Sequence, residues 1–369
     1  MKKILVLTNS INGLYSFRRE LIEELITKEY QVIISSPTDI KTNYFKEIGC
    51  VMLKASINRR GTNPISDIKL LLSYFQMNKD VEPDIVLTYT IKPNIYGGIA
   101  CRLRGTPHIA NITGLGTAVE SEGILQKITL ILYRIALKKS ICVFFQNKEN
   151  MEFMQSNRIG IKNGKLIPGS GVNLTHFKLL NYPRTEDINF LFIARIFKQK
   201  GIDQYLDAAK YIKQKYPNTA FHVLGNCDKF YKHILEVMHE EGVIQYHGEQ
   251  EDVREFHKIS HCTIHPSYYP EGMSNVLLES AACGRPIITT NRSGCKEVVD
   301  DDINGYIFEK KNSKDLINKI EKFLALSYEE KKKMGLASRY KVEKEFDRRI
   351  VVNAYIEEIE QNIQKEKVA

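Results

Sequence analysis

The chain has 369 residues, too long for one ordinary core and suited to two domains of similar size. With 43% hydrophobic and 26% charged residues it is near the average for soluble globular proteins, which excludes disordered, collagenous and multi-span membrane chains. The net charge of +9 is uneven, because residues 1–180 hold 24 of the 53 Lys+Arg but only 14 of the 44 Asp+Glu. A basic first half points to an anionic partner, either a nucleic acid or the phosphate-bearing face of a membrane, unless the charge serves only solubility. The seven cysteines are odd in number and form no C-x-x-C pair, which fits a reducing compartment and argues against a disulfide framework or a zinc site.

The opening MKKILVLTNS has an apolar run of five residues, too short for a signal peptide, and reads as a first strand. A helix from Phe17 to Thr27 follows, then YQVIISS, a helix, VMLKA and DIVLTYT. Short apolar runs alternating with helices predict a parallel, doubly wound sheet, which VFFQN and KLIPGSGV continue. NYPRTEDI breaks the pattern and is expected to be a linker near residues 178–188.

The rhythm restarts with INFLFIA, a helix from Ile202 to Lys215, AFHVLG, VIQYHG, CTIHPS, a helix from Asn275, and PIITT. Two Rossmann-like α/β domains in tandem are therefore expected, at 1–177 and 188–345. The tail from Tyr328 is helical, and Val352, Tyr355, Ile356, Ile359 and Ile363 form an apolar stripe that reads as a packing face. No uncharged apolar run reaches 18 residues, so no spanning helix is expected.

In ILQKITLILYRIALKKSICVFF, from Ile124 to Phe145, apolar residues are interleaved with Lys127, Arg134, Lys138 and Lys139. Two readings stay open. The segment is either a basic amphipathic helix lying on an anionic bilayer, or a helix covering the sheet with a solvated basic side.

The most specific chemistry lies in YPEGMSNVLLESAACGRP, where Glu271 and Glu279 flank a helix start that Ser274 or Asn275 can cap. The amides of Gly272, Met273 and Ser274 would face a phosphate in front of that helix. An ionised Glu279, acceptor-only, suits two ribose hydroxyls, and Glu271 would face sugar hydroxyls beyond the diphosphate. In INFLFIARIFKQKG, Arg195 ends a buried strand and Lys200 precedes the next helix. This is the edge of an open parallel sheet where ligands bind. Two fixed cations opposite a helix N-terminus stabilise the charge of a departing diphosphate. In the first half, NITGLGTAVESEG supplies a Gly-rich loop with Asn111, Thr113, Gly114 and Gly116. The run Asp300, Asp301, Asp302 reads as a polar turn rather than a cation site.

On A-R-x-x-x-x-K-G at Arg195 and Lys200, and E-x7-E at Glu271 and Glu279, the chain resembles the family 4 retaining glycosyltransferases over nearly its whole length. The resemblance implies the GT-B fold, two Rossmann-like domains facing across a cleft, with the helix 346–369 packing back on the N-terminal domain. It implies that Arg195 and Lys200 hold the donor diphosphate, that Glu279 binds the ribose and that Glu271 contacts the donor sugar. Gly225, Asn226, Glu249 and Gln250 would line the base pocket.

GLG and TYTIKPNIYGG make the chain similar to bacterial enzymes that extend undecaprenyl-diphosphate-linked glycans in capsule, O-antigen or protein-glycan assembly. A UDP-sugar donor, a HexNAc or related hexose, a lipid-linked saccharide acceptor and metal-independent chemistry are implied, with Asn111, Thr113, Gly114, Gly116 and Lys92 of the N-terminal half as the expected acceptor contacts. So is a cytoplasmic, peripheral place on the inner face of the membrane. Two departures stand out: the paired-Gly turn after the first strand is reduced to Gly13, and Lys92 stands in TYTIKPN where relatives carry a histidine. His108 is expected to be buried and structural.

Three other readings compete. A UDP-sugar epimerase of the same fold would turn over donor without acceptor. A basic nucleic-acid-binding protein lacks an aromatic-interleaved basic stripe. A dinucleotide-dependent oxidoreductase lacks G-x-G-x-x-G after a strand.

Overall fold

The computed structural model describes residues 1–55, 63–116, 119 and 123–368, with side chains omitted for 365–368. The chain forms two compact units, residues 1–170 with 349–369, and residues 171–348. The stretch 178–188 belongs to the second unit, where the Tyr182 hydroxyl donates to the His261 carbonyl at 2.9 Å.

The first unit contains β1 (Lys3–Leu7), β2 (Gln31–Ser36), β3 (Val51–Lys54), β4 (Ile85–Tyr89), β5 (His108–Ile112), β6 (Cys142–Phe145) and β7 (Gly164–Leu166). They pair in the order β3-β2-β1-β4-β5-β6-β7, every pair parallel. β1, β4, β5 and β6 lie inside the sheet and are buried almost throughout, which is why they read as continuous apolar runs. The helix after β1 begins at Ile11 rather than Phe17, because the Ser10 hydroxyl accepts from the Gly13 N–H at 3.1 Å and caps it.

The final helix, Arg348–Val368, buries Val351, Tyr355, Ile356, Ile359 and Ile363 in the first unit's core beside Ile4, Val6 and Phe144. Tyr355 packs on Phe144 with ring centroids 4.4 Å apart, and its hydroxyl accepts from Asn111 Nδ2 at 2.6 Å. Each such apolar side chain contributes about 1.5–3 kcal/mol by leaving water, so five of them bind the end of the sequence firmly to its beginning.

The second unit contains β8 (Ile188–Ile193), β9 (Thr219–Leu224), β10 (Gln245–Tyr246), β11 (Cys262–His265), β12 (Ile287–Thr290) and β13 (Gly305–Phe308). Their order is β10-β9-β8-β11-β12-β13, again all parallel. Its core joins Phe190, Phe192 and Phe221 of the sheet to Tyr205, Leu316, Ile320 and Phe323 of the covering helices. The strand order reverses between β8 and β11, so their carboxyl ends form the crevice where open parallel sheets bind ligands.

Candidate active site

Arg195 and Lys200 leave the end of β8, and residues 266–271 leave the end of β11. The two loops are joined by the Tyr268 N–H, which donates to the Gln199 carbonyl at 2.9 Å. They are also joined by alternating cations and rings. Arg195 lies over Phe197 at 5.7 Å, Phe197 meets Tyr269 edge-on at 5.4 Å, and Lys200 Nζ stands 5.2 Å from the Tyr269 ring. Each cation–π contact is worth about 0.5–1 kcal/mol where exposed and more where water is excluded. Phe197 and Tyr269 carry no signal in the local sequence, since the two rings meet only through the β8–β11 pairing. The chain can turn here because Gly201 takes φ +76°, and a Cβ on it would stand 2.1 Å from the Pro266 carbonyl oxygen.

Lys200 is 9% exposed and its ammonium donates to Glu271 Oε1, which also accepts from Ser267 Oγ at 3.3 Å. Burial pushes the Glu271 carboxyl up, but Lys200 and His265 together outweigh it and hold the group well below the ordinary carboxylate range, at about 2. Glu271 is therefore an anion at neutral pH. Arg195 is exposed and, among the described residues, forms no ion pair. One cation is thus built into the site and the other is free to meet a ligand.

The helix Asn275–Ala282 follows, with Gly272, Met273 and Ser274 buried ahead of it and Asn275 half-buried at its start. Ser274 occupies the capping position without capping, for its hydroxyl lies 3.2 Å from His265 Nε2 and makes no bond to the helix amides. Its own N–H donates to the Gly294 carbonyl at 2.7 Å. Glu279, one turn in, is half-buried; burial lifts its carboxyl to about 7, opposed by the Arg348 guanidinium.

The proposed base pocket is also drawn together. Asn226 Nδ2 donates to Glu249 Oε2 at 3.3 Å, the Gly225 N–H to the Gly248 carbonyl at 2.8 Å, and Gln250 Nε2 to the His247 carbonyl at 2.6 Å. Gly225 has φ +138°, with a Cβ position 1.7 Å from the Ala194 carbonyl oxygen, so the end of β9 can run this close to the Arg195 loop only as glycine.

In the first unit the expected acceptor residues are placed differently from one another. Asn111 is 1% exposed, and its amide is bound to Tyr355 and Gln146, so its side chain secures the core. Lys92 Nζ is paired with Asp67 at 2.6 Å, and Tyr96 donates to the other oxygen of the same carboxylate. Thr113, Gly114 and Gly116 are half-buried, and Gly114 and Gly116 have φ of +130° and +71°. The rest of that loop lies partly outside the described residues, at 117–118 and 120–122. Gly13 lies within the first helix. His108 is buried between Thr88 Oγ1 at 2.8 Å and Ser140 Oγ at 2.9 Å, and burial lowers its pKa to about 3.

Asp300, Asp301 and Asp302 form a turn whose carboxylates meet Lys341, the Ile307 N–H and Lys322. Among the described residues no group of three or more His, Cys, Asp or Glu is arranged to hold a metal.

Two parallel doubly wound units, with a cationic strand end facing a carboxylate and a helix start, define the GT-B class of sugar transferases. The chain belongs to the glycosyltransferases: residues 3–147 match the "Glycosyl transferase 4-like" family and residues 181–341 the "Glycosyl transferases group 1" family. It is 25% identical over 366 residues, 93% of this chain and 94% of the other, to the N,N'-diacetylbacillosaminyl-diphospho-undecaprenol alpha-1,3-N-acetylgalactosaminyltransferase of Campylobacter jejuni. It is also 25% identical to the capsular polysaccharide biosynthesis glycosyltransferase CapM of Staphylococcus aureus, over 90% of each chain. A Rickettsia africae glycosyltransferase has the same fold, with TM-score 0.81, 19% identity and 98% coverage of both chains. So does Anabaena Alr3699/HepE, solved with UDP and glucose, with TM-score 0.78, 16% identity and coverage of 97% and 99%. The epimerase reading draws no support from these relatives.

Proposed function

We propose that the chain transfers a sugar, a HexNAc or related hexose, from a UDP-sugar to a hydroxyl of a lipid-diphosphate-linked saccharide, with retention of anomeric configuration. The observation that carries this reading is the joint placement of Arg195, the Lys200–Glu271 pair and the helix start before Glu279 at the β8–β11 switch point. The activity of the Campylobacter jejuni relative on an undecaprenol-diphosphate-linked sugar supports the acceptor class.

On this reading the bond from the anomeric carbon to the β-phosphate oxygen breaks, and the acceptor oxygen bonds the same carbon on the same face. The acceptor proton passes to the departing phosphate oxygen, leaving UDP. Arg195, Lys200 and the Met273 amide at the helix start stabilise the charge that develops, the Ser274 N–H being taken by the Gly294 carbonyl, while Glu271 orients sugar hydroxyls and Glu279 the ribose. The Asn226–Glu249 pair lies beside the base.

An anionic membrane surface fits as the place of work. The helix Ile124–Leu137 buries Leu130, Tyr133, Ala136 and Leu137 but leaves Ile124, Leu125, Ile128, Ile131 and Ile135 exposed beside Lys127, Arg134, Lys138 and Lys139. An ordinary sheet-covering helix presents a mostly polar outer face, whereas here five apolar side chains share one. Among the described residues no helix is long and apolar enough to cross a membrane, so a peripheral position on the cytoplasmic face is the form this reading takes.

The test is product mass from a panel of UDP- and GDP-sugars with short lipid-diphosphate-linked saccharides. Acceptor-dependent transfer from a UDP-sugar, with UDP binding lost in Glu279→Ala, is the expected result. No transfer from any donor, together with unchanged UDP binding in that variant, overturns it.

A further inference from the structure

His265 closes β11 and is 1% exposed. Nothing in the transfer chemistry uses it, yet its Nε2 lies 3.2 Å from the Ser274 hydroxyl and 3.9 Å from Glu271 Oε1. Its Nδ1 is buried and, among the described residues, has no hydrogen-bond partner. Its backbone is fixed as well, because Thr289 Oγ1 donates to its carbonyl at 2.8 Å.

The tautomer follows. Burial lowers the His265 pKa; Glu271 opposes this and Lys200 reinforces it, so the ring is neutral at pH 7 with one proton to place. On Nδ1 that proton would be a buried donor without an acceptor; on Nε2 it faces a hydroxyl and a carboxylate. Nε2 therefore carries it. The Ser274 oxygen accepts from the imidazole and is turned toward it rather than toward the helix amides.

We infer that His265 is a positioning residue: its imidazole is hydrogen-bonded to the Ser274 hydroxyl at the helix start and stands 3.9 Å from Glu271, keeping the donor sugar's partner set against the diphosphate's. This rests on the donor-site reading above. Lys200 and Ser267 fix Glu271 from the other side, so the carboxylate sits between the β8 loop and the imidazole. Removing the ring leaves Glu271 its cation but lets it move relative to the helix start, and displacements near 1 Å cost on the order of 10²-fold in rate.

The experiment compares His265→Leu and His265→Gln by steady-state kinetics with a UDP-sugar and acceptor, UDP binding, and thermal melting. The expected result is a kcat lower by about 10²-fold in His265→Leu, with UDP affinity within a few-fold. His265→Gln, which restores an N–H donor, should recover at least a tenth of wild-type kcat. Should His265→Leu not fold, Ser274→Ala in the His265→Gln background takes its place. The pair then shows coupling, its combined loss being smaller than the product of the single losses. Wild-type kcat in His265→Leu, or equal losses in Leu and Gln variants that track the melting temperature, overturn the inference while leaving the donor site intact. If the wild-type chain neither binds UDP nor turns over a UDP-sugar, the donor-site reading fails, and the role assigned to His265 fails with it.

Discussion

Arg195 and Lys200 carry the same charge five residues apart, yet they sit in opposite settings. Arg195 is exposed and rests on Phe197, so Arg195→Ala should melt like the parent while losing about 10²–10³ in kcat, as when one stabilising donor is removed. Lys200 is buried against Glu271. Lys200→Ala strands a carboxylate in low dielectric and should lower stability by up to about 3–5 kcal/mol, read as a drop in melting temperature as well as activity.

Glu279 adds a pH signature. Its carboxyl is lifted to about 7 by burial, so between its ordinary value of 4.5 and about 7 the folded chain keeps a proton that the unfolded chain releases. The sign is fixed by that. This group's contribution to stability falls as pH rises through the window and is flat above it. Because ribose hydroxyls need the ionised form, UDP affinity should rise between pH 6 and 8 in the parent. Glu279→Gln should show only the phosphate's own titration, and a calorimetric pH series separates the two.

At the scale of elements, strands and motif residues were legible and their neighbours were not. Arg195, Lys200, Glu271 and Glu279 could be chosen because a strand end and a helix start each announce themselves in local sequence. Phe197 and Tyr269 could not, since only the β8–β11 pairing brings them together, nor could His265, whose contact with Ser274 depends on how the loop after β11 folds back. Asn111 shows the reverse: a polar residue in a Gly-rich motif looked like a ligand group, but its partner Tyr355 lies 244 positions away. The helix Ile124–Leu137 gains most from the structure, because burial separates its two apolar sides. Replacing Ile128 and Ile131 with Glu together should leave the melting temperature unchanged and abolish co-sedimentation with phosphatidylserine-containing vesicles. Binding by the parent should weaken as salt rises. Salt-insensitive binding, or binding kept by the double variant, would remove the membrane from the proposal.

For the molecule as a whole, the first unit is made from two separate stretches of chain. Tyr355→Phe tests the bond between them. It leaves a buried Asn111 amide without its acceptor and should cost about 1–3 kcal/mol in the first unit, seen as a lower denaturant midpoint. The arrangement also governs how the protein is made. Domains ordinarily fold in order as they leave the ribosome, but here the second unit is finished in sequence before the first receives its last helix. Released chains ending at residue 348 should therefore show a protease-resistant second unit and a first unit still open to cleavage. Until residues 351–363 are made, the apolar floor at Phe144 and Val6 waits uncovered, which makes the first unit the client a chaperone would meet.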